Sequence, residues 1–132
     1  MASKAPALRG PIVIIVDDDA AVRASLKFAL EIEGFSVHAY GRADEMFGDR
    51  SLADCACFVI DEKLPGMNGM ELVTALRRQH MEAPVILITS APPKILQARA
   101  AAAGVPIVEK PLLGNTLLDR IRAMTANAAS NH

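Results

Sequence analysis

The sequence predicts an α/β domain in which a doubly wound sheet of five parallel strands lies between two layers of helices. Three observations predict it. Five short apolar, β-branched runs recur along the 132 residues, and three of them are nearly unbroken, as strands buried on both faces require. Segments with helical spacing of apolar residues separate these runs. The β-α order then repeats five times without an internal sequence repeat, and right-handed crossovers make such strands parallel.

The first run is Ile12-Val13-Ile14-Ile15-Val16. A helix is predicted from Asp19 to Glu33, with Val22, Leu26, Ala29 and Leu30 in one stripe, Asp19 capping its start and Gly34 ending it. The second run, Phe35 to Tyr40, leads to a short helix over Arg42 to Phe47. The third, Cys57-Phe58-Val59-Ile60, precedes a helix capped by Asn68 and running through His80, whose apolar face is Leu72, Val73 and Leu76. After the fourth run, Val85 to Ile88, Pro93 opens an alanine-rich helical stretch that reaches Gly104. The fifth run, Val105-Pro106-Ile107-Val108, contains a proline, which fits an edge strand or a strand start. A closing helix from Asn115 to Met124 carries Leu117, Leu118 and Ile121.

Composition narrows the function classes. With 52% hydrophobic and 22% charged residues the chain is not of a disordered type, and its length suits one domain. Fourteen Lys and Arg against fifteen Asp and Glu, with few aromatics and no Trp, argue against direct nucleic-acid binding. No apolar run approaches the ~18 residues of a membrane span. Residues 1–10 carry no signal-peptide core and are expected to form a flexible leader; 126–132 are expected to fray, leaving the domain over 11–125 and a cytoplasmic location. Cys55 and Cys57 are expected on one face of a strand, a poor geometry for zinc, as two ordinary reduced thiols.

The chemistry concentrates where the strands end. In an open α/β sheet, ligands bind at the carboxyl ends of the strands. Those ends offer Asp17 and Asp18 after strand one, Asp61 after strand three, Thr89 and Ser90 after strand four, and Lys110 after strand five. Strand two ends in Tyr40 and offers nothing reactive. Each residue alone has an ordinary explanation as a helix cap, turn or surface charge. Together, three carboxylates repel by ~4 kcal/mol per close pair at an effective dielectric near 20, and gathering them calls for a cation. Hard carboxylate oxygens suit Mg²⁺, while a lysine and a hydroxyl suit a phosphoryl group. The set describes a phosphoryl-transfer site in which a carboxylate can be the acceptor.

Val16-Asp17-Asp18-Asp19, Asp61-Glu62-Lys63-Leu64-Pro65-Gly66-Met67-Asn68-Gly69, Ile88-Thr89-Ser90 and Val108-Glu109-Lys110-Pro111 resemble the motifs of response-regulator receiver domains over about residues 11–124. The resemblance implies a flavodoxin-like (βα)5 fold with strand order 2-1-3-4-5, an order the general rule for doubly wound sheets already illustrates with a chemotaxis receiver. It implies that Asp61 accepts a phosphoryl group from a sensor histidine kinase or phosphotransfer protein. Asp18, Asp61 and the Lys63 backbone carbonyl would hold Mg²⁺, with Asp17 acting largely through a water. Thr89 and Lys110 would contact phosphoryl oxygens, with the Lys110–Pro111 bond often cis in the family. The signal would leave through the face of the fourth helix, fifth strand and fifth helix, towards a downstream protein partner.

Three features depart from the family pattern. Ile107 stands where many receivers carry a mobile aromatic ring. The Ser90-Ala91-Pro92-Pro93-Lys94 loop is stiffened by prolines, with Thr89 and Lys110 about one residue closer than usual. Lys63 occupies a position that often tunes phosphoryl lifetime, and could shield the group or face solvent. Two alternatives follow: a non-phosphorylated interaction module, or a haloacid-dehalogenase-like phosphatase using Asp17 and Asp19 with Thr89 and Lys110. The latter leaves Asp61 without a role and has Ala21 where a hydroxyl or valine is usual. A stand-alone regulator and a piece of a longer protein are both compatible with the sequence.

Overall fold

A computed structural model describes the backbone from Gly10 to Ser130 and the side chains from Gly10 to Ala126. The expected leader, residues 1–10, lies outside the described residues except for Gly10. The strands are β1 (Ile12–Val16), β2 (Ser36–Tyr40), β3 (Cys57–Asp61), β4 (Val85–Thr89) and β5 (Ile107–Glu109). The helices are α1 (Ala20–Ile32), α2 (Ala43–Phe47), α3 (Gly69–Arg78), α4 (Lys94–Ala102) and α5 (Thr116–Ser130), with a 3-10 turn at Leu52–Asp54. All strand pairings are parallel, in the order β2-β1-β3-β4-β5.

Alternation along the strands builds two cores. Ile14, Val16, Phe58, Ile60, Val85 and Leu87 face Met46, Leu72, Leu76, Leu96 and Ala100, which belong to α2, α3 and α4. Val13, Ile15, Val59, Ile86 and Ile88 face Leu30 of α1 with Leu117 and Ile121 of α5. The central strands are therefore apolar on both sides, and each fully buried Ile or Leu contributes about 1.5 to 3 kcal/mol.

Helix ends explain most boundary differences. Asp19 caps α1 by accepting from the Ala21 and Val22 amides at 2.9 and 3.3 Å. Asn68 and Glu71 form a reciprocal capping box at α3, each bond 2.8 Å. Three helices close with the same pair of bonds, seen at Gly34 and Phe35, His80 and Met81, and Gly104 and Val105. Gly34 and Gly104 take the positive φ this closure needs, but after α3 the position is filled by His80, at φ 61°. The third helix therefore ends at Arg78, short of the expected His80, because a histidine does the work that glycine usually signals. Val105 is spent on the closure of α4, so β5 begins at Ile107, one residue after Pro106. At the other end, α5 continues as helix to Ser130, past the expected Met124.

The cysteine geometry is a correction. Cys57 opens β3 and packs in the α1/α5 core, whereas Cys55 precedes the strand and packs in the opposite core. Strand alternation does not extend back to residue 55, which ends the 3-10 turn. Both thiols are free and buried, and burial pushes each up to about 12, so they stay protonated and inert.

Candidate functional site

The sheet order brings the reactive residues together. β1 and β3 are neighbours with Val16 opposite Ile60, so Asp17 and Asp61 emerge side by side. Asp61 is in register with Ile88 of β4, and Thr89 with Glu109 of β5, which places Lys110 at the same edge. The Lys110 amide donates to the Thr89 carbonyl at 2.8 Å, tying those two strand ends. The Lys110–Pro111 bond is cis.

One carboxylate oxygen each from Asp17, Asp18 and Asp61 lies within 4.8 Å of the others. Asp17 is fully buried and Asp61 nearly so, while Asp18 is exposed and forms the rim. Lys110 Nζ donates to Asp61 Oδ2 at 3.2 Å and stands 3.2 Å from Asp17 Oδ2. The second approach is at ion-pair distance without hydrogen-bond geometry, so Asp17 Oδ2 remains buried with no hydrogen-bond partner. Asp17 Oδ1 accepts from the Asp19 amide at 2.9 Å, and Asp61 Oδ1 from the Lys63 amide at 3.2 Å.

Burial pushes the Asp61 carboxyl above its ordinary range, and the Asp17 charge adds to this, against the Lys63 amide and Lys110. Partial burial works against the charge on Lys110, but the two carboxylates outweigh it and hold the ammonium above the usual lysine range. One cation thus faces three acids, and an unsatisfied buried carboxylate oxygen is costly. Three hard oxygen donors, with a buried Asp17 oxygen lacking a hydrogen-bond partner, fit Mg²⁺.

Asp19 is not part of the cluster, since its carboxylate caps α1 and is exposed. A phosphatase reading, which needs Asp17 and Asp19 together, loses its second acid. Lys63 projects into solvent. Thr89 is buried at the end of β4. In the loop after it, Ala91 has a φ of 41°, a left-handed conformation that strains a residue bearing a Cβ. Ile107 is partly buried against the α2–α4 core.

Three supporting groups escaped sequence reasoning. Glu62 accepts from the Met70 amide at 3.1 Å and, through its carbonyl, from Gly69 at 2.9 Å, fixing the start of α3 against β3. Gly69 permits this approach, since a Cβ there would lie 2.8 Å from the Asp61 carbonyl oxygen. Arg23 Nη1 donates to the Asp17 carbonyl at 2.8 Å. At the end of β2, Tyr40 donates to Asp49 Oδ2 at 2.5 Å, and His38 Nδ1 shares that oxygen at 2.7 Å. No spacing rule announces these bonds. Arg23 and Glu62 bind backbone groups six to eight residues away, and backbone groups carry no sequence signature, while Asp49 meets Tyr40 and His38 only once the chain folds back beside β2.

The model of the response regulator receiver domain matches residues 13–122. The chain belongs to the response-regulator receiver family. Receiver domains of two-component systems are signalling domains that interact with histidine kinases and downstream effectors, and phosphorylation on an aspartate is typical of them. Nodulation protein W of Bradyrhizobium diazoefficiens is 35% identical over 115 residues, covering 86% of this chain and 51% of the relative. The C4-dicarboxylate transport transcriptional regulatory protein DctR of Rhodobacter capsulatus is 33% identical over 110 residues, covering 81% of this chain and 56% of the relative. The chain spans about half the length of the curated relatives it matches. Among solved structures, the response regulator StyR is 32% identical with a TM-score of 0.82, covering 92% of this chain and 62% of that one. A CheY-like receiver from Methanospirillum hungatei is 26% identical with a TM-score of 0.82, covering 92% of this chain and 98% of that one. Among the described residues no helix is long and apolar enough to cross a membrane.

Proposed function

We propose that Asp61 is the phosphoryl acceptor of this receiver. A carboxylate lone pair of Asp61 attacks the phosphorus of a kinase or phosphotransfer-protein phosphohistidine. An O–P bond forms, the N–P bond breaks, and the imidazole nitrogen leaves with the bonding pair and takes a proton from solvent. The observation that carries this reading is the convergence of Asp61 and Lys110 beside the partnerless Asp17 Oδ2.

Asp17, Asp18 and Asp61, with the Lys63 carbonyl, would hold Mg²⁺. When bound, that ion supplies charge neutralisation for the carboxylates and the incoming phosphoryl oxygens. Lys110 orients the acceptor through its bond to Asp61 and offers a positive charge to the transferred group. Thr89, at the end of β4, supplies a hydroxyl donor.

Phosphorylation takes Asp61 from one negative charge to about two and adds acceptor oxygens. Thr89 and Lys110 are drawn towards them, and the β4–α4 and β5–α5 loops follow. The changed face is α4–β5–α5, which would engage a downstream protein. Ile107 has no ring to swing, so the shift passes through the strand-end loops alone. Incubation with acetyl phosphate and Mg²⁺ tests the assignment by intact mass. Wild type gains one phosphoryl group, and equal labelling of Asp61→Asn overturns it.

A further inference from the structure

Arg23 lies in the first turn of α1, and its guanidinium reaches back to the loop that leaves β1, where Nη1 donates to the Asp17 carbonyl at 2.8 Å. Its seat depends on the residue across from it. A Cβ on Gly41 would lie 2.9 Å from Nη1 and 3.4 Å from Cζ of Arg23, too close for the side chain to stay where it is. Gly41 directly follows Tyr40, whose carbonyl accepts the Asp17 amide at 3.0 Å. The end of β2 therefore holds one side of Asp17, and Arg23 holds the other.

The carbonyl that Arg23 grips belongs to the planar peptide joining Asp17 to Asp18. Fixing that oxygen fixes the plane, and the plane sets where the chain enters Asp18. Asp17 needs little of this help, since its carboxylate is already buried and tied to the Asp19 amide. Asp18 does need it: its side chain is exposed and has no hydrogen-bond partner among the described residues. The rim acid is aimed by the backbone alone.

We propose that Arg23, seated over Gly41, is a positioning residue that orients the Asp17–Asp18 peptide and so raises the affinity of the acid cluster for Mg²⁺. This rests on the assignment of Mg²⁺ to Asp17, Asp18 and Asp61. Two opposite effects separate positioning from charge. As a cation near a metal site, Arg23 repels Mg²⁺, and its removal should tighten binding. As a clamp on the ligand loop, its removal should weaken binding, by about tenfold at the low end of what outer-sphere partners contribute.

The test is a Mg²⁺ titration followed by backbone amide NMR shifts, on wild type, Arg23→Met, Gly41→Ala and the double variant. Gly41→Ala keeps the charge and displaces the guanidinium, so it separates the two effects from a second direction. Positioning is supported if each single variant binds Mg²⁺ about tenfold more weakly and the double variant is no worse than the weaker single, since both remove one interaction. Unchanged or tighter binding by Arg23→Met overturns it, as does a double variant whose losses multiply. A lowered unfolding midpoint in chelator with unchanged Mg²⁺ affinity also overturns it, by reducing Arg23 to a structural contact. If wild type itself shows no Mg²⁺-dependent shifts at the strand ends, the metal assignment fails first and this inference falls with it.

Discussion

Lys110 Nζ donates to Asp61 Oδ2 at 3.2 Å, across 49 residues of sequence, and it is the only cation within ion-pair distance of the acid cluster among the described residues. The bond joins the ends of two strands that are not neighbours, since β4 lies between β3 and β5. It also faces Asp17, whose Oδ2 is buried without a hydrogen-bond partner.

Removing that cation strands two buried carboxylates. Lys110→Met should lower stability in chelator by about 1 to 2 kcal/mol, less than a fully buried pair would cost because the ammonium is partly solvated. Mg²⁺ should restore more stability to the variant than it adds to wild type. Urea unfolding with EDTA and with Mg²⁺ measures both quantities.

Asp61 carries the opposite sign. Burial first, and then the Asp17 charge, raises its folded pKa above the unfolded value. Its contribution to stability is therefore fully present below the unfolded pKa and is lost as pH rises through the folded one. Without metal, Asp61→Asn should be more stable than wild type at neutral pH by about 1 kcal/mol. It should also show a flatter pH dependence from about pH 4 upwards. Chelated samples unfolded across that range check the slope.

Tyr40 is the single tyrosine of the chain, so its ionisation can be followed alone. Burial, helped by the Asp49 carboxylate that accepts a hydrogen bond from its hydroxyl, pushes it up to about 12. Its contribution to stability is present below about pH 10 and is lost as pH rises through the folded pKa. Absorbance titration should place the folded midpoint near 12 and the urea-unfolded midpoint near the ordinary value. In Asp49→Asn the folded midpoint should fall only part of the way, since burial is the larger cause. A folded midpoint at the ordinary value would contradict the Tyr40–Asp49 bond.

His80 closes α3 at φ 61° where the other two closures of this kind use glycine. A left-handed residue with a Cβ pays a steric cost, partly offset because glycine has more freedom to lose on folding. His80→Gly should therefore stabilise the protein by about 0.5 to 1 kcal/mol, read from urea midpoints. A loss of stability would mean the imidazole contributes contacts beyond the closure.

Much of this was legible in the sequence for a simple reason. Strands buried on both faces must be apolar throughout, so Ile12–Val16 and Val85–Ile88 announce themselves. Asp19, Asn68, Gly34 and Gly104 mark helix ends by chemistry that acts within a few residues. The site residues were legible because a parallel sheet aligns its carboxyl ends, making Asp17, Asp61, Thr89 and Lys110 neighbours once the order is known. What stayed hidden was non-local or atypical. Arg23 reaches a carbonyl, which has no sequence signature. Asp49 meets Tyr40 and His38 only after α2 folds back beside β2. His80 ends a helix in a conformation its side chain does not advertise, and Cys55 escapes strand alternation because the strand begins two residues later.

The acceptor assignment is tested most directly by locating the phosphoryl group. Protein treated with acetyl phosphate can be reduced with borohydride, which converts an aspartyl phosphate to homoserine, and then digested and sequenced by mass spectrometry. Homoserine at position 61 with Mg²⁺, and none in chelator, is the predicted result. Homoserine at Asp17 or Asp18 instead, or labelling that persists in chelator, would contradict it.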